Sequence, residues 1–102
     1  MNEQNKFGLT KNTIQLIQSV FSKYSQIEKV ILYGSRAKGN FKAGSDIDLT
    51  IVAPKLTTTE LLKIENDLDN LMLPYKIDLS LLHQIENPDL VEHIKRIGVE
   101  FK

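Results

Sequence analysis

Two aspartates, Asp46 and Asp48, stand one residue apart at the mouth of an apolar run, ten residues after a Gly34-Ser35 pair, in the stretch GSRAKGNFKAGSDIDL. In a strand, residues i and i+2 point to the same side, so the two carboxylates project together. Unpaired carboxylates so close repel, and one takes up a proton unless a cation sits between them. Hard oxygen ligands of this kind select Mg2+, with Mn2+ as the substitute. Asp78, flanked by Ile77 and Leu79 in a later alternating run, is the third acid, its side chain directed away from the residues that pack inward. If the two strands are neighbours, three carboxylates converge on one edge of a sheet.

The Gly34-Ser35 pair supplies the complement. Glycine at a strand end lets backbone approach a ligand closely, and a helical turn after it aims free N–H groups at an anion. Ser35 adds a hydroxyl donor, and Arg36 is read as a phosphate contact; Lys38 and Lys42 are read as solvated loop charges. A phosphate cradle beside a cage for divalent metal specifies phosphoryl or nucleotidyl transfer, chemistry that consists mainly of positioning and of charge neutralisation by two metals about 4 Å apart.

The elements that must position these groups are legible in the flanking pattern. Thr10 caps a helix carrying Ile14, Leu16, Ile17, Val20, Phe21 and Tyr24 at helical spacing. Lys29 to Tyr33 is a buried strand ended by Gly34, residues 36–45 form a loop, and Asp48 to Ala53 is a second strand stopped by Pro54. Thr57 and Glu60 have the form of a capping box ahead of the stripe Leu61, Ile64, Leu68 and Leu71. Pro74 ends that pattern, Lys76 to Leu81 alternates as a half-exposed third strand, and Asn87-Pro88 opens a last helix bearing Leu90, Val91, Ile94 and Ile97, with Gly98 as its stop. The order helix, strand, loop, strand, helix, strand, helix implies an α+β fold: one domain over residues 1–102, a small mixed sheet with helices on one face and the other face free for a site. Tyr33 is read as core, and His83 and His93 as structural or surface residues.

Composition narrows the function. The 102 residues contain 13 Lys and Arg against 13 Asp and Glu, so no global field drives adhesion to nucleic acid or an anionic membrane. The absence of cysteine removes disulfides, thiol catalysis and thiolate zinc sites together. The start, MNEQNKFGLT, has no charged-then-apolar leader, and no apolar run approaches the ~18 residues of a membrane span, so a cytoplasmic location is expected.

The motif, Gly-Ser, ten residues, then Asp-x-Asp with a later strand aspartate, resembles the nucleotidyltransferase superfamily related to DNA polymerase beta. The short chain with GSRAKG followed by GSDIDL is similar to its minimal nucleotidyltransferase (MNT) branch, the MntA-like antitoxins of HEPN/MNT toxin-antitoxin systems. The resemblance implies a polymerase beta-like fold and transfer of AMP from ATP. Gly34 and Ser35 would hold the triphosphate, Asp46 and Asp48 would ligate two Mg2+ ions, and Asp78 would complete the site nearest the acceptor. It also implies a partner, a HEPN-domain ribonuclease toxin whose tyrosine receives AMP and which is thereby silenced. Two other readings stand beside this one: an antitoxin that neutralises its partner by occlusion alone, its metal site vestigial, and nucleotidyl transfer to RNA or a small molecule. RNA work would call for a basic track or stacking aromatics, and seven aromatics set largely in apolar runs provide neither. Nucleobase, acceptor and oligomeric state depend on surfaces outside the motif.

Overall fold

Thr10 holds an extended backbone and its hydroxyl accepts from the Thr13 N–H, which starts helix α1 at Lys11–Phe21. The computed structural model describes residues 6–102, and the start of the chain, read as free of a leader, lies at residues 1–5 outside the described residues. Ile17, Val20 and Phe21 form the buried face of α1. Tyr24, expected on that helix, falls in the turn after it and still packs against the core.

Strand β1 (Lys29–Tyr33) is followed by a single helical turn, α2 (Ser35–Lys38), and then by β2 (Ile47–Val52), which pairs antiparallel with β1. Thr57 and Glu60 make the reciprocal capping box that opens α3 (Thr58–Asp69). This helix is the crossover that a parallel pair requires, and β3 (Ile77–Leu81) duly lies parallel to β2. A single 3-10 turn, Leu82–Gln84, leads to α4 (Pro88–Ile97), whose cap Asn87 accepts from the N–H groups of Asp89 and Leu90. The two-residue strand β4 (Val99–Glu100) pairs antiparallel with the other edge of β1, giving the sheet order β3-β2-β1-β4. Two residues carry no alternation, so the sequence pattern gives no sign of it.

One face of the sheet presents Val30, Leu32, Ile47, Leu49, Ile51, Leu79 and Leu81, and these bury against Ile17, Val20 and Phe21 of α1 and Ile64 and Leu68 of α3. The class is the expected one, a small mixed sheet with helices against it, with one departure. With that face filled, α4 must deliver β4 to the free edge of β1, and it packs on β1 from the opposite side, where Ile94 is buried beside Ile31. Gly98 stops α4 for a steric reason: a Cβ there would strike the Ile94 carbonyl and Ile31. The second face of the sheet is therefore covered at β1 and at Thr50 of β2, while Asp48 stays half-buried and Asp78 of β3 is exposed.

The Tyr24 phenol donates to the Asp67 carboxylate and joins α1's exit to α3. That bond, aided by burial and by the Asp67 charge, pushes the phenol up to about 12. The folded chain thus holds this proton more tightly than the unfolded one. Its contribution to stability is present below the ordinary tyrosine range and is lost as pH rises through about 12. Ultraviolet titration should show one late-ionising tyrosine that returns toward the ordinary range in Asp67→Asn.

Candidate active site

Gly34 ends β1 in a backbone conformation (φ 77°, ψ −157°) that L side chains rarely adopt. A Cβ on it would overlap the Asp48 carboxylate, so the turn and the acid are in direct apposition. The reason is register: Tyr33 lies opposite Asp48 across the antiparallel pair, which sets the next residue, Gly34, under that side chain. Ser35 then opens α2, closed by Lys38 N–H donating to the Gly34 carbonyl at 3.0 Å and Gly39 N–H to Ser35 at 2.9 Å. No side chain caps this turn, so the amides at its start are open to an anion. Gly34→Ala should cost about 1–3 kcal/mol in a urea titration, for backbone strain and displacement of Asp48 combined, and should weaken nucleotide binding.

Asp48 and Asp78 are register partners on the parallel strands β2 and β3, on the face opposite the core, with Asp78 exposed and Leu79 and Leu81 buried behind it. Asp46, exposed, stands just ahead of β2. Partial burial holds the Asp48 carboxyl above the usual carboxylate range, the charges of Asp78 and then Asp46 push the same way, and His93 opposes them. The three acids thus feel one another across one edge of the sheet. They do not close on a common point: among the described residues no three His, Cys, Asp or Glu side chains are gathered tightly enough to hold a metal ion as they stand. The donor set still suits one. All three are hard oxygen ligands, and the mutual repulsion that adds to the effect of burial on Asp48 is what a divalent cation would relieve.

Arg36 is placed otherwise than expected. Its side chain is 2% exposed and points into the protein. Nη1 donates to the Phe7 carbonyl at 2.8 Å, Nη2 to Ser45 at 2.9 Å and to Ala43 at 3.3 Å, and Nε to Ser45 at 3.2 Å. The rings of Phe41 and Tyr75 lie 5.2 and 5.0 Å from the guanidinium carbon. With its donors engaged by the backbone, the group is not presented to a phosphate. Lys38 and Lys42 are exposed, as expected of loop charges.

Residues 15–101 match the family described as Polymerase beta, Nucleotidyltransferase. The chain belongs to that family. No curated protein matches the chain. Among solved structures, a toxin-antitoxin with AMP-PNP is similar to this nucleotidyltransferase-family chain with a TM-score of 0.72 at 19% identity, over 87% of this chain and 72% of the other. A mutant of the toxin-antitoxin MntA-HpeT gives 0.68 at 22% identity, over 90% and 71%. A tri-AMPylated Shewanella oneidensis HEPN toxin in complex with MNT antitoxin gives 0.67 at 16% identity, over 90% and 71%. At these identities the likeness is one of fold: the polymerase beta-like nucleotidyltransferase fold.

Around the acids of this nucleotidyltransferase fold lie groups the sequence reading assigned no part in the site. The Tyr33 ring, 9% exposed, stands edge-on to His93 of α4 at 6.3 Å. Burial raises its phenol, the neighbouring Ser80 hydroxyl opposes that, and Asp48 and Asp78 add to the rise. Ser80 donates to the Thr50 hydroxyl at 2.9 Å, which makes a polar row beside the carboxylates. The available signal was phase: Thr50 and Ser80 each lie two residues beyond an acid, on the same face of their strands. Among the described residues no helix is long and apolar enough to cross a membrane.

Proposed function

We propose that this chain transfers AMP from ATP to a protein hydroxyl, a tyrosine of a HEPN-domain toxin, and thereby acts as its antitoxin. The observation that carries the reading is the apposition of Gly34 and Asp48: the turn suited to a triphosphate touches the central acid of the edge suited to divalent metal. Support for the nucleotide comes from the similar toxin-antitoxin structure with AMP-PNP, and for the acceptor from the tri-AMPylated HEPN toxin bound to MNT antitoxin.

In this reading Gly34 and Ser35 hold the triphosphate through backbone amides and the serine hydroxyl. Asp46, Asp48 and Asp78 hold Mg2+, or Mn2+ in its place. Bound metal supplies neutralisation of the charge that builds on the phosphate oxygens. The acceptor oxygen bonds to the α-phosphorus as the bond to the β-phosphate oxygen breaks, pyrophosphate leaves, and the hydroxyl proton passes to Asp78, the exposed acid at the free edge of the sheet.

Calorimetry with a non-hydrolysable ATP analogue should show Mg2+-dependent binding that is lost in the Asp46→Asn/Asp48→Asn double variant. Incubation with α-labelled ATP, Mg2+ and a folded HEPN partner should label the partner; no transfer would overturn the catalytic reading. The open spacing of the three acids favours one other reading, neutralisation by occlusion alone. Under it the double variant would neutralise the partner as well as the wild type does.

A further inference from the structure

Arg36 is the one charged side chain among the buried residues described, and it ties together three segments that are remote in sequence. Two of its nitrogens converge on the Ser45 carbonyl, whose peptide group also carries the Asp46 N–H, so the plane from which Asp46 departs is set by the guanidinium. The Tyr75 ring stacks on the same group three residues ahead of Asp78, where the chain runs into β3. On the far side, Nη1 holds the Phe7 carbonyl, and Phe41 closes over the guanidinium. A Cβ on Gly8 would strike both the Phe41 ring and Nη1, so the Phe7-Gly8 turn seals this cluster.

We infer that Arg36 is a positioning residue for metal. From its buried place on α2 it sets Asp46 and Asp78 relative to the central Asp48 and touches neither metal nor nucleotide. Asp48 needs no such device, because it sits within the β1–β2–β3 ladder. Asp46 lies just outside its strand and Asp78 on an edge strand, and Arg36 bonds or stacks on the approach to each. A partner bonded directly to a metal ligand commonly governs affinity by ten- to a hundredfold, and Arg36 acts one peptide group away from Asp46. The inference rests on the proposed function, since it presumes that the three acids bind metal.

The test is Mn2+ binding to the full chain, followed by electron paramagnetic resonance without nucleotide, so that a phosphate contact has no influence. Arg36→Lys keeps the charge but cannot span Ser45, Ala43 and Phe7 at once, and Tyr75→Leu keeps every hydrogen bond while removing one stacking ring. Both should weaken Mn2+ about tenfold or more, whereas Val20→Ala, a core variant remote from the acids, should bind as the wild type does. Tyr75→Leu carries the test if Arg36→Lys does not fold. Wild-type binding that persists unchanged in the folded variants would overturn the positioning role alone. Equal weakening by Val20→Ala would also overturn it, because general loosening would then suffice. Absence of Mn2+ binding by the wild type would overturn the proposed metal site and this role with it.

Discussion

Replacing Asp48 with asparagine should lower nucleotidyl transfer by about 10³-fold and at the same time stabilise the metal-free protein at pH 7. The loss follows from removing the central acid of the edge, on the scale seen when one group that neutralises transition-state charge is deleted. The gain follows from the position of that acid. Partial burial, Asp78 and Asp46 all hold its carboxyl above the usual range, so the folded chain binds the proton more tightly than the unfolded chain does. Stability tied to this group is therefore fully present below the ordinary carboxylate range and is lost as pH rises through the raised value. Asparagine does not ionise and escapes that loss. In chelator, thermal midpoints of variant and wild type should be close in acid and separate toward neutral pH by a few degrees, the scale on which about 0.5 kcal/mol moves a domain of this size. Added Mg2+ should narrow the gap by stabilising only the wild type. A variant less stable than wild type at pH 7 would show that Asp48 is held by favourable contacts, contrary to the electrostatics of the edge.

Arg36→Met should be among the most destabilising single substitutions in the chain, at about 2–4 kcal/mol by urea denaturation. Methionine keeps an unbranched apolar stem between Phe41 and Tyr75 but leaves the carbonyls of Phe7, Ala43 and Ser45 without their donor, at about 1–3 kcal/mol for each that stays buried. Domains of this kind have only about 5–15 kcal/mol in total, so the variant approaches the limit of folding. An exposed phosphate-contact arginine would give the opposite pattern, with stability nearly unchanged and nucleotide binding lost. The two measurements on one variant therefore separate the position found for Arg36 from the role its place in the motif suggested.

Caps at Thr10, Thr57 and Asn87, the stop at Gly98 and the phases of β1 to β3 were legible because each depends on neighbours within a few residues: a side-chain oxygen reaching an amide three positions on, or alternation at period two. The Gly34-Ser35 and Asp46-x-Asp48 pattern was legible for the same reason, as was the outward direction of Asp78. Chain-distant relations were not. The strand β4 is made by β1's free edge, the placement of α4 by the prior filling of the other face, and the burial of Arg36 by a ring and two carbonyl-bearing segments that meet only in the fold. By itself, the sequence determined the principal helices and strands β1 to β3, the family and the chemistry its acids are suited to, since those follow from residue type and spacing. Only the tertiary structure decided that Asp48 lies over Gly34 and that Arg36 is buried against backbone carbonyls, because a charged side chain in a motif reads the same whether its donors face a phosphate or the protein's own backbone.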